Sequence, residues 1–194
     1  MEDQTPWKGN PWTQQIEVLI SEDKIKARIA ELGAEITRAY GGRELVLVGV
    51  LKGAFLFLAD LARAVDLPVT CDFLGVSSYG DRTKSSGVIR ITSDLSRPVD
   101  GKDVLIVEDI VDTGLTVRYL LNNLATRQPR SIQVCALLDK PARRLVQVPI
   151  DYSGFSVADR FVIGYGLDYQ GRYRNLPYIG VLHALEVASP KPAS

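Results

Sequence analysis

From Glu22 to Tyr40 the apolar residues Ile25, Ile29, Leu32, Ile36 and Tyr40 recur every three or four positions. That spacing lines one face of a helix. Ser21 precedes it as an N-cap, and Gly41-Gly42 stops it. The pattern then changes. Leu45–Leu51 reads LVLVGVL, a continuous apolar run expected of a strand covered on both faces. A second helix is predicted from about Ala54 to Val65, ending before Pro68. Val69–Ser78 reads as a strand, Tyr79–Gly87 as a polar, Gly-bounded mobile loop or hairpin tip, and Val88–Leu95 as a returning strand. Pro98-Val99-Asp100-Gly101 marks a turn. Val104–Val107 is a core strand, Leu115–Ala125 a helix with Val117, Leu120, Leu121 and Leu124 inward, and Ile132–Lys140 the next strand. The first dozen residues, rich in Pro, Gly and Asn, and the tail 188–194 are predicted to be poorly ordered.

Strand–helix–strand alternation predicts an α/β fold: a mostly parallel sheet with helices on both faces. In such sheets ligands bind beyond the carboxyl ends of the strands. A chain of 194 residues is expected to form one domain over 1–194. Its 23 basic and 23 acidic residues balance, which argues against a general nucleic-acid or membrane-surface binder. No apolar run is long enough to span a bilayer, and MEDQTPWKGNPW lacks a signal-peptide layout, so a cytoplasmic protein is expected. Cys71 and Cys135 lie in apolar, strand-like stretches and are expected to be free and buried. One His and two isolated Cys cannot build a structural zinc site.

The chemistry concentrates after Val104–Val107. Glu108, Asp109 and Asp112 place three carboxylates at a strand end, and Thr113-Gly114-Leu115-Thr116 opens the next helix. Backbone N–H groups, two hydroxyls and a helix's positive end suit a phosphate. The acids would repel a phosphate but suit a polyol, or a metal bridging to one. Together the halves fit a sugar phosphate. The bland alternative is a helix capped by acids after an ordinary Thr-Gly turn.

These residues resemble the signature of the type I phosphoribosyltransferases for phosphoribosyl pyrophosphate (PRPP). Within that family the chain is similar to the hypoxanthine–guanine phosphoribosyltransferases of purine salvage. Leu51-Lys52-Gly53 matches the family's pyrophosphate loop, Ser78-Tyr79 the start of its mobile loop, and Asp139-Lys140 the strand end carrying its base-reading lysine. Phe161 to Tyr169 (FVIGYGLDY), followed by Arg174, matches its purine-binding segment. The blocks run in family order over roughly Leu45 to Leu182.

The resemblance implies the family's fold, with a small hood from the terminal segments and a lid loop. It implies that Glu108 and Asp109 hold the ribose hydroxyls directly or through magnesium, and that Asp112 is the general base. Thr113, Gly114, Leu115 and Thr116 would cradle the 5′-phosphate, Leu115 through its backbone alone. Lys52, Gly53 and Arg174 would face the pyrophosphate, and Asp168 would ligate its magnesium. Lys140 would donate to the purine 6-oxo group, Phe161 would stack on the ring, Val162 would offer its backbone to the base edge, and Asp168 would also belong to the purine-binding set. His183 is read as structural. The implied partners are PRPP and a 6-oxopurine, with no nucleic acid or membrane, in a homodimer or homotetramer. Rivals are a xanthine- or uracil-specific sister, an RNA-binding regulatory relative, and a phosphoacceptor receiver domain. The last is disfavoured because its acid pair would follow the first strand.

Overall fold

The structure, a computed structural model, describes residues 16–79 and 88–182. In chain order the elements are β1 (Ile16–Ile20), α1 (Glu22–Tyr40), β2 (Leu45–Leu51), α2 (Phe55–Ala64), β3 (Val69–Tyr79) and β4 (Val88–Ser93). There follow β5 (Asp103–Val111), α3 (Leu115–Ala125), β6 (Ser131–Asp139), β7 (Tyr152–Ser156), β8 (Val162–Ile163) and β9 (Ile179–Leu182). The N-terminal arm, most of the expected lid loop, His183 and the C-terminal tail lie outside the described residues.

Six strands form one sheet in the order β4-β3-β2-β5-β6-β7, parallel except for β4. The apolar run of β2 is used on both faces. Leu45 and Leu47, with Leu105 and Val107 of β5, pack under α1 and α2. Val46 and Val48, with Val104 and Ile106, pack under Val117, Leu120 and Leu124 of α3. Every apolar position predicted on α1 is buried. Ser21 caps that helix, its Oγ accepting from the N–H of Lys24 at 3.4 Å, and Glu22 and Asp23 meet the positive end of the dipole.

Three expectations are corrected. Cys71 is exposed, and Phe73 is 40% exposed. α2 covers β2, where its Leu58 sits over Gly49, and leaves this face of β3 open to solvent. Leu121 is half-buried at the flank of the α3 cluster rather than inside it. Most consequentially, β5 continues to Val111, so Glu108 and Asp109 lie on the strand itself instead of beyond it.

The strand order also locates the cleft. From β2 the chain crosses through α2 to β3 on one side, whereas from β5 it crosses through α3 to β6 on the other. The two connections part above the carboxyl ends of β2 and β5, the switch point where doubly wound sheets bind ligands. A second, three-stranded antiparallel sheet, β1-β9-β8, joins the two ends of the described chain into the hood. Among the described residues no helix is long and apolar enough to cross a membrane.

At the opposite end of β5, Asp103 is fully buried. It accepts from Arg130 Nε and Nη2 at 2.9 and 2.6 Å and from Ser131 Oγ at 2.7 Å, with Arg43 Nη1 at 3.3 Å. The Arg130 contact, assisted by Ser131 and Arg43, holds its pKa below the usual carboxylate value, against the opposing effect of burial. A lowered folded-state pKa stabilises the fold above the unfolded value, and that contribution is lost as pH falls through the folded one. Asp103→Asn is therefore expected to lower Tm by roughly 3–10 °C at pH 7, with a shrinking gap to wild type as pH is lowered toward 3. Thermal melts of both proteins across that range check it. A gap that does not change with pH would show that the carboxylate's charge contributes nothing.

Candidate active site

A cleft of about 340 Å³ opens at the switch point. It is lined by Lys52 and Gly53 after β2, by Glu108, Asp109 and Asp112 at the end of β5, and by Thr113, Gly114 and Thr116 at the start of α3. Asp168 and Arg174, from the segment joining β8 to β9, close it, and Val50, Val76 and Val117 furnish apolar wall. Ten residues singled out from the sequence thus meet in one place, though up to 122 positions separate them.

The β2 side is fitted to the β5 side at Gly53. A Cβ there would fall 1.5 Å from Asp109 Oδ2, and one on Gly166 would fall 2.0 Å from the Gly53 carbonyl oxygen. A larger residue at 53 would have to displace the Asp109 carboxylate from its place beside the loop. The Leu51–Lys52 peptide bond is cis. On the hood side, Arg174 Nη1 donates to Gly166 O at 2.5 Å, and its Nη2 lies 2.6 Å from Asp168 Oδ1. Asp168 Oδ2 accepts from the Gly171 N–H at 2.7 Å. Tyr165 ties this segment to α2 by donating to Asp60 Oδ2 at 2.5 Å.

Glu108 and Asp109 are adjacent on β5, Glu108 buried and Asp109 half-buried where it lines the cleft. Burial pushes both pKa values up, and a neighbouring carboxylate adds to each rise, Asp109 for Glu108 and Asp168 for Asp109. The Ile110 N–H, donating to Asp109 Oδ1 at 2.9 Å, and the Arg174 guanidinium pull Asp109 back toward its charged form. Such a pair gains from hydroxyl donors or a cation and loses from a bare phosphate.

The bland reading of Asp112 as a helix cap does not hold. Gly114 occupies the N-cap position of α3 with φ +83°, and the Asp112 side chain makes no bond to the helix's first N–H groups. Asp112 instead leaves Oδ1 buried with no hydrogen-bond partner, while Oδ2 lies 3.5 Å from Arg143 Nη1. An orphaned buried carboxylate oxygen beside a cleft is an acceptor awaiting a donor. Beyond it, the Thr113 hydroxyl accepts from the Leu115 N–H at 3.4 Å, and the first N–H groups of α3 have no intrahelical carbonyl. Thr113 to Thr116 therefore offer hydroxyls and helix-start N–H groups of the kind that can cradle an anion.

Of the expected base-binding residues, Asp168 lines the cleft, whereas Lys140, Phe161 and Val162 lie outside its lining. Lys140, at the end of β6, is 5% exposed; its backbone N–H donates to Val111 O at 3.0 Å and its Nζ to Arg160 O at 2.8 Å. Phe161 is 48% exposed and meets Tyr169 edge to face, ring centroids 5.8 Å apart. Val162 is buried in β8. Ser78 and Tyr79 end β3, where Ser78 pairs with Ile89 and Tyr79 with Val88.

Sequence reasoning passed over Arg143 and Arg144. Arg144 fastens the cradle from behind, donating to Asp112 O and Val111 O at 3.0 and 3.1 Å and pairing with Asp139. The one signal available was a basic pair directly after a strand end and a proline.

The family profile described as "Phosphoribosyl transferase domain" matches residues 19–170. The chain is 56% identical over 171 residues to the hypoxanthine-guanine phosphoribosyltransferase of Mycobacterium avium, covering 85% of this chain and 84% of that one. It is 51% identical over 173 residues to the hypoxanthine phosphoribosyltransferase of Salmonella typhimurium, covering 88% and 97% respectively. Among solved structures, a hypoxanthine phosphoribosyltransferase from Staphylococcus aureus superimposes with a TM-score of 0.88 at 42% identity, over 93% of this chain and 98% of that chain.

Proposed function

Because the chain belongs to the hypoxanthine–guanine phosphoribosyltransferases, we propose that it transfers the 5-phosphoribosyl group of PRPP to hypoxanthine or guanine, releasing pyrophosphate and forming IMP or GMP in purine salvage. One observation carries the reading. An acid pair and a Thr-Gly-Leu-Thr helix start follow each other on β5 and α3 and share a single cleft with Lys52 and Arg174. That order of groups suits a sugar carrying a phosphate at one end and a pyrophosphate at the other. The relatives' names lend no support to a xanthine-preferring or RNA-binding alternative.

In this reading Thr113 to Thr116 hold the 5′-phosphate, Glu108 and Asp109 the ribose hydroxyls, and Lys52, Gly53 and Arg174 the leaving pyrophosphate. Lys140 donates to the 6-oxo group, Phe161 stacks on the purine, and Val162 meets the base edge through its backbone. Asp112 accepts the purine N–H proton as the opposite ring nitrogen attacks the anomeric carbon. Positioning base and sugar together supplies much of the rate. Positive charge builds on the ribose meanwhile, so water must be kept out, the task proposed for the loop beginning at Ser78-Tyr79.

Magnesium fits these residues. It takes hard oxygen ligands and is usually held by one or two carboxylates plus substrate phosphates. Asp168, half-exposed at the cleft with lone pairs beyond its two contacts, would hold it on the pyrophosphate side, and Glu108 and Asp109 on the ribose side. Bound there, it would neutralise the departing pyrophosphate. The chain is proposed to act as one domain, in the cytoplasm, as a homodimer or homotetramer.

The test is a coupled assay of pyrophosphate release from PRPP and hypoxanthine, with IMP identified as product. Activity is expected with magnesium and is expected to fall at least about tenfold on chelation. Absence of pyrophosphate release with hypoxanthine and with guanine, under saturating PRPP and magnesium, would overturn the assignment.

A further inference from the structure

The backbone of the cradle is held by groups that never enter the cleft. Val111 O accepts from the Lys140 N–H at 3.0 Å and from Arg144 Nη2 at 3.1 Å. Asp112 O accepts from Arg144 Nε at 3.0 Å. Thr113 O accepts from the N–H groups of Leu145 and Val146 at 3.0 and 3.1 Å. Gly114 O accepts from Arg118 within the helix. Four consecutive carbonyls are thereby engaged by donors that do not line the cleft. A carbonyl aimed into the cradle would repel an anion, and the alternation of peptide dipoles makes its orientation decide where the neighbouring N–H points.

Arg144 is the side chain that makes two of these bonds, and it also pairs with Asp139, the residue before Lys140. Its side chain is 9% exposed and lies outside the cleft lining. The packing is close: a Cβ on Gly114 would fall 2.5 Å from Val146 O and 3.0 Å from Arg144 Cδ. One planar fork thus bridges the end of β5, which carries Asp112 and the cradle, to the end of β6, which carries Lys140. A lysine could not reproduce this, because its ammonium is a point donor without the fork geometry.

We propose that Arg144 is a positioning residue for the transfer, fixing the phosphate cradle and Asp112 relative to the base-reading end of β6. This rests on the transferase reading above. Its consequence is selective: ligands that span cradle and base site depend on Arg144, whereas pyrophosphate, held on the Lys52 and Arg174 side, does not.

The experiment compares IMP and magnesium pyrophosphate as ligands of wild type, Arg144→Met and Arg144→Lys by titration calorimetry, with steady-state kinetics. For Arg144→Met, IMP is expected to bind about 10- to 100-fold more weakly and kcat to fall by a similar factor, the scale of a small misplacement of catalytic groups. Pyrophosphate affinity is expected to stay within about twofold, and Arg144→Lys to recover only part of the loss. Unchanged IMP affinity with a lowered Tm would overturn the proposal, as would equal weakening of both ligands. Full recovery by lysine would overturn the fork. If Arg144→Met does not fold, Arg144→Lys decides, by the same comparison. If neither variant folds, Arg144 is a structural residue and the proposal fails. A wild-type protein that binds neither ligand would instead refute the transferase reading itself.

Discussion

Asp112→Asn is expected to lower turnover by about 10²- to 10⁴-fold, the range for loss of a general base, while leaving the fold and PRPP affinity in place. Asn matches Asp in shape, so the β5–α3 junction keeps its backbone. The Asp112 carbonyl still accepts from Arg144, since that bond belongs to the main chain. What disappears is the capacity of one side-chain atom to take a proton. Oδ1 is buried and has no hydrogen-bond partner, an arrangement costly to fold and therefore best explained by a donor that arrives with the substrate. A purine N–H is such a donor. The carboxylate faces a partial counter-charge from Arg143 at 3.5 Å, which is half-exposed and free to yield when the base enters. Single-turnover measurement with saturating PRPP isolates the chemical step from product release. A single-turnover rate within about threefold of wild type would remove Asp112 from the proton transfer.

Much of this site could be read from the sequence because its parts are local. The acid pair, Asp112 and Thr113 to Thr116 lie within nine consecutive residues, and a strand running into a helix dictates where their backbone points. Both helix faces and both doubly covered strands follow from periodicity, since burial of one stripe leaves a regular trace. Cys71 misled for the same reason. An apolar strand predicts burial, but whether a helix reaches the outer strand depends on the length and placement of α2, which no pattern within β3 records. Arg144 was illegible for a different reason. Its partners are three acceptors on two strand ends, two of them main-chain carbonyls, and an arginine that bonds backbone carries no periodic signal. Lys140 falls between these cases: its place at the end of β6 was readable, its bond to Arg160 O was not.

Adenine is expected to be a substrate at least about 10²-fold poorer in kcat/KM than hypoxanthine or guanine, because Lys140 can only donate. Its ammonium is nearly buried, with Nζ 2.8 Å from Arg160 O and 3.8 Å from Asp159 Oδ1. One N–H is thus committed to the main chain, which anchors the side chain and leaves further donors for a ligand. A 6-oxo group accepts from them. A 6-amino group presents a donor to a donor, so adenine would lose the bond and leave a desolvated N–H of the ammonium without an acceptor, a penalty above that of a missing neutral hydrogen bond. Hypoxanthine and guanine share the 6-oxo group and differ at an exocyclic amine that water can replace near Val162 and Asp168, so both are expected to react well. Xanthine carries an oxo group there instead, which would face backbone acceptors, and is expected to be poorer than either. The measurement is kcat/KM for the four bases at saturating PRPP and magnesium. Adenine equal to guanine would strip Lys140 of its reading role, and xanthine ahead of both would mean that the base edge near Val162 presents donors rather than acceptors.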